Sequence, residues 1–123
     1  MADAPTLFSR IIAGDIPADI VYRDEMCVAF RDVQPQAPVH LLIVPVTPLS
    51  SIASVDPMHE RLLGHLLVVA ARLAEEFGVA ASGYRLIINH GDDGGQTVPH
   101  LHIHLIGGRP LGALVGGGTS HGD

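Results

Sequence analysis

Residues 97–106 read Thr-Val-Pro-His-Leu-His-Ile-His-Leu-Ile, so three imidazoles fall at every second position of an otherwise aliphatic run. Alternate side chains of a β-strand share a face, and the spacing predicts His100, His102 and His104 in one row. Leu101, Ile103 and Leu105 then turn the other way, toward a core. Imidazole changes protonation near neutral pH and serves as nucleophile, acid, base or metal ligand. For a metal, the Cα atoms of His100 and His104 stand roughly 13 Å apart along a strand, against Zn–N bonds of about 2.0–2.1 Å. A His-x-His pair with a third ligand is easier, and His40, in Pro38-Val39-His40-Leu41, is the candidate. For a nucleophile the spread helps. A central His102 attacks phosphorus to give a phosphohistidine-type intermediate, and its neighbours reach groups on either side. Such a site needs donors around the phosphoryl oxygens. Gly94-Gly95-Gln96-Thr97 offers close backbone amides with amide and hydroxyl side chains, although Asp-Asp-Gly-Gly is also an ordinary turn. Hydrogen-bonded structural histidines are the remaining reading.

The elements that must position these residues are legible as periodicities. Apolar side chains at 7, 8, 11 and 12 predict a short helix over 6–13, stopped by Gly14. Ile20-Val21-Tyr22 and Met26–Phe30 predict a hairpin, and Val39–Val46 a further strand. Asp32–Pro38, with two prolines, reads as a loop. Asp56-Pro57 opens one long helix whose apolar stripe runs from Leu62 to Phe77 and ends at Gly78. Tyr84–Asn89 predicts a fourth strand and the histidine run a fifth. Short connections favour an antiparallel sheet with helices packed on one side, an α+β fold with a sheet edge open to a partner chain. The chain reads as a single domain over 1–123.

The 123 residues are 47% hydrophobic and 16% charged, with no tryptophan, which predicts a folded chain with an aliphatic core. The net charge of −6 disfavours long nucleic acid. Cys27, the single cysteine, permits no internal disulfide and reads as a packed thiol. Neither a signal-peptide layout nor an apolar run of membrane-spanning length is evident, so the expectation is a cytoplasmic protein with no membrane partner.

His100-Leu101-His102-Ile103-His104-Leu105-Ile106 resembles the alternating histidine/apolar signature of the histidine triad (HIT) superfamily. The surrounding residues resemble its histidine triad nucleotide-binding (Hint) branch. The matching stretches include Phe8–Ile12, Ile16-Pro17-Ala18, Asp32–His40, Leu63–Leu66, Gly83-Tyr84-Arg85, Asn89, Gly94–Thr97 and Gly107-Gly108-Arg109, in unbroken order over 6–109. The stretch 110–123 is a variable tail. The resemblance implies a dimer and a purine-nucleotide hydrolase or transferase acting on AMP- or GMP-type nucleoside 5′-phosphoramidates. It makes His102 the nucleophile, His104 the contact to phosphate and leaving group, and His40 and His100 the relay setting the tautomer and orientation of His102. Asp32 would hold the ribose hydroxyls, and Val33, Phe8, Ile11, Ile16 and Phe30 would line the base slot. Asn89, Gly95, Gln96 and Thr97 would contact the phosphate and departing group. No cofactor is required, zinc on His40 and part of the triad being the alternative. A nucleotide-binding scaffold with slow incidental hydrolysis and a dinucleoside polyphosphate hydrolase are the competing functions. Thr97 stands where the branch carries Ser, and Pro99 where an aromatic is common.

Overall fold

The computed structural model describes residues 5–115. The order is α1 (Leu7–Ala13), β1 (Ile20–Arg23), β2 (Cys27–Arg31), β3 (Val39–Pro45), α2 (Glu60–Glu76), β4 (Tyr84–Ile87) and β5 (Ile103–Gly107). The five strands form one antiparallel sheet in the order β1-β2-β3-β5-β4. Helix α1 starts one residue later than predicted. Thr6 caps it by accepting from the Ser9 amide, and Gly14 ends it in the left-handed conformation, at φ 84°. Asp56 caps a 3-10 turn, Pro57–His59, that leads into α2.

The two helices cover opposite faces of the sheet, against the expectation of one helical side. Cys27, Ala29, Leu41 and Ile43 pack with α2 through Leu62, Leu66, Val69, Ala70 and Leu73. The intervening Val28, Phe30, Leu42 and Val44 pack with Phe8 and Ile11 of α1. The reason lies in the central strands, whose buried positions run continuously instead of alternating, as a sheet covered on both faces requires.

The histidine strand is shorter than predicted. Only His104 lies in β5, and His100 and His102 precede it. Ile43 pairs with Ile103, which would set Pro45 opposite Leu101. Proline has no N–H to donate to a ladder. The Pro45 carbonyl instead accepts from the His100 ring, and the Leu101 amide donates to the Leu49 carbonyl. With β5 starting at Ile103, β4 also ends early, at Ile87 instead of Asn89. Among the described residues no helix is long and apolar enough to cross a membrane. The end of the tail, 116–123, lies outside the described residues.

Candidate active site

Leu42 stands opposite His104 in the β3–β5 ladder and His40 opposite Ile106, which puts His40 and His104 on one face as diagonal neighbours. The Gln36 amide donates to His40 Nδ1 at 3.0 Å, so the neutral ring carries its proton on Nε2. That N–H donates to His104 Nδ1 at 3.0 Å, with Asp32 Oδ2 3.4 Å from the same nitrogen. The remaining proton of His104 therefore sits on Nε2. A main-chain amide thus orients one histidine, which orients the next.

His102 is held differently. Its Nδ1–H donates to the His100 carbonyl at 2.7 Å. A carbonyl only accepts, so Nδ1 carries the proton and Nε2 keeps a lone pair. The Phe8 ring stands edge-on to His102 at 4.9 Å, and the His104 ring lies 5.0 Å away. The His100 ring donates from Nε2 to the Pro45 carbonyl at 3.0 Å, and its Nδ1 lies 3.2 Å from Thr6 Oγ1. The expected relay is therefore redistributed. His40 bonds His104 instead of His102, and His100 orients His102 by its carbonyl instead of its ring.

Burial pushes all four imidazoles below the ordinary histidine value. For His102 it outweighs the opposing bond to the His100 carbonyl. For His104, burial and then repulsion from the neighbouring His102 and His40 bring it down to about 4. His40 is lowered by burial against the attraction of Asp32, and His100 by burial against its bond to Pro45. At neutral pH the site holds uncharged rings, and the His102 lone pair is free to attack.

Beside these rings lies a cleft of about 350 Å³. Phe8, Ile11, Ile16, Phe30 and Leu42 give it an apolar wall, and Asp32, Val33, Thr97, His102 and His104 are among the other residues that line it. Phe8 and Phe30 pack edge to face at 5.6 Å. Asp32 Oδ1 is taken by the Gln34 amide, leaving acceptor capacity on Oδ2. An apolar slot, a carboxylate and two neutral imidazoles in one cleft suit a planar base, a sugar and an electrophilic phosphorus respectively.

Other expected contacts are engaged within the protein. Asn89 Nδ2 donates to the Gly94 carbonyl at 2.6 Å. Gln96 Nε2 donates to the Ser50 and Val98 carbonyls, and its Oε1 accepts from Gly91. Gly95 turns the loop at φ 77°. Asn89, Gly95 and Gln96 shape the loop that carries Thr97, and only Thr97 of the four lines the cleft. Ligand atoms of Asp32, His40 and His104 lie within 4.8 Å of one another, as do those of Asp24, Cys27 and His65. An ion on the first set must displace the proton that His40 and His104 share.

The family model for the HIT domain matches residues 13–111. This chain belongs to the HIT family. It is 51% identical over 110 residues to the purine nucleoside phosphoramidase of Escherichia coli strain K12, covering 89% of this chain and 92% of that protein. Among solved structures it is similar to a HIT family hydrolase from Legionella pneumophila, with a TM-score of 0.89 and 43% identity, covering 91% of this chain and all of that one. It is also similar to a histidine triad nucleotide-binding protein from Candida albicans, with a TM-score of 0.80 and 26% identity, covering 97% of this chain and 87% of that one.

In this HIT protein the residues that sequence reasoning missed are those that act by packing or through the main chain. Leu42 and Val98 line the cleft. Strand alternation from His40 would have placed Leu42 beside it. The Gln36 amide and the His100 carbonyl carry no side-chain signal at all. Pro99 is exposed in the loop before His102, where no ladder partner needs its missing N–H.

Proposed function

We propose that this protein hydrolyses purine nucleoside 5′-phosphoramidates to a nucleoside monophosphate and an amine, through a nucleotidyl group carried on His102. The bond from His102 Nδ1–H to the His100 carbonyl carries the reading, because it leaves Nε2 unprotonated inside the cleft. The substrate class is supported by the name of the Escherichia coli relative. The base lies in the slot between Phe8, Ile11, Ile16 and Phe30, with Val33 at its exposed rim, and Asp32 accepts from the ribose hydroxyls. His102 Nε2 forms a bond to phosphorus as the P–N bond of the N-protonated substrate breaks, and the amine departs neutral. His104 Nε2–H and the Thr97 hydroxyl donate to the group in flight. Water then attacks the same phosphorus, the P–Nε2 bond breaks to return the neutral Nδ1–H imidazole, and the water's proton passes to solvent with the nucleoside monophosphate as product. No step calls on a metal.

The reaction belongs in the cytoplasm, a setting that the unpaired Cys27 fits. We place a second copy of the chain against α2 and the β4 edge, where Leu67, Val68, Tyr84 and Ile88 are exposed apolar side chains.

The test is turnover of adenosine and guanosine 5′-phosphoramidates beside diadenosine polyphosphates, with and without chelator. The reading predicts phosphoramidate turnover that chelator leaves unchanged. Loss of activity on chelation, preference for the dinucleotides, or tight AMP binding with turnover at background overturns it.

A further inference from the structure

We propose that Thr6 is a positioning residue for the nucleophile, acting through the buried ring of His100; the proposal rests on the reading of His102 as the attacking group. Residues 98–102 lie outside the sheet ladder, since β5 begins at Ile103. The His100 carbonyl that fixes the His102 tautomer therefore belongs to a segment without strand pairing, and other bonds must hold it. One is the Leu101 amide to the Leu49 carbonyl at 2.7 Å. Another is the His100 ring, pinned at both nitrogens.

The ring's polarity follows from its partners. Pro45 O can only accept, so His100 Nε2 carries the proton and Nδ1 is a buried acceptor. Its partner is the Thr6 hydroxyl at 3.2 Å, which must donate. The competing acceptor for that proton, Ser9 Oγ, stands farther off at 3.4 Å and already accepts the Thr6 amide at 2.7 Å, so the His100 nitrogen is the nearer partner. Meanwhile Thr6 Oγ1 accepts from the Ser9 amide at 3.0 Å as the cap of α1. One hydroxyl thus joins α1 to the main chain that aims the nucleophile. The next residue but one, Phe8, packs on His102 and lines the cleft. Thr6 itself does not line that cleft. With His100 it borders a separate cavity on the far side of α1.

Capping and donating can be separated. Thr6→Asp keeps an N-cap acceptor, but an ionised carboxylate has no proton to give His100 Nδ1. Thr6→Ser keeps both functions. The expected result is a kcat for T6D lower on the order of 10- to 100-fold, the scale of a small misplacement of reacting groups. AMP affinity and melting temperature should stay close to the starting protein, and T6S should recover kcat. Imidazole ¹⁵N spectra of T6D should show His102 losing its fixed Nδ1–H form. T6D with undiminished kcat and unchanged His102 signals overturns the proposal. So does a kcat that falls only in step with melting temperature, which assigns Thr6 to capping alone. If T6D does not fold, the spectrum of the unsubstituted protein decides: His100 must carry its proton on Nε2, and a proton on Nδ1 refutes the link. If phosphoramidates are not turned over at all, the proposed function fails, while the ¹⁵N comparison still judges Thr6.

Discussion

At the residue scale, the proposed function depends on which ring nitrogen carries the proton in His40, His100, His102 and His104. Because burial lowers His102, its lone pair survives to a pH below the ordinary value of about 6.5. The acid limb of kcat/KM that reports this group should therefore lie below 6.5, and a limb at or above it would contradict the buried neutral ring. His102→Asn should lower turnover by about 10³-fold or more while leaving AMP binding measurable, as expected for loss of a nucleophile. Stability follows the same groups. The folded His104 titrates at about 4 and the unfolded one near 6.5, so the unfolded chain binds the proton first. The stability is whole above 6.5 and is lost as pH falls toward 4. Melting temperature should drop across that window, and less so in His104→Asn. A flat profile in the unsubstituted protein would count against it.

At the scale of elements, the register of β3 against β5 builds the His40–His104 pair, and a glycine loop carries Thr97 to the cleft. Gly94 must be glycine, since a Cβ there would lie 2.1 Å from the His90 carbonyl oxygen. Gln96 ties that loop to Ser50, to Val98 and to Gly91. Gln96→Ala should destabilise the protein by about 1 kcal/mol, since the Ser50 and Val98 carbonyls and the Gly91 amide lose their partner where water can partly replace it. It should also cut kcat more than AMP affinity, and unchanged kinetics would restrict Gln96 to stability alone. The elements themselves were legible, because Gly14 and Asp56 are end signals by chemistry and the apolar periods are strong. The grouping of His40, His102 and His104 was also legible, because their spacing and side-chain type mark them, and the structure brings their rings together. It misled at His100 and His102, where alternation suggested strand but Pro45 denies the ladder a donor. It misled again about helix placement, where the continuous apolar runs of β2 and β3 already required two covered faces. Gln96 was legible as a polar loop residue and Asn89 was expected at the end of a strand, yet which partner satisfies each depends on closing the loop in space.

At the scale of the molecule, the sheet puts the α2 core on one face and the cleft on the other, with His40 and His104 on its central strands and His102 one residue before β5. A rigid floor suits a site that must hold a ring nitrogen in line with phosphorus. The edge position of β4 in the sheet and the exposed apolar Leu67 and Val68 lead us to expect a dimer. Light scattering should give twice the chain mass, and Leu67→Glu should shift it toward monomer. A monomer at all accessible concentrations would refute that assembly. The central claim is a covalent bond between His102 and the nucleotidyl phosphorus. Rapid acid-free quenching with adenosine 5′-phosphoramidate, followed by intact-mass and peptide mapping, measures that bond directly. The account predicts an AMP-sized adduct on the peptide containing His102 during turnover and none in His102→Asn. Turnover without an adduct, or an adduct mapped to another residue, would contradict it.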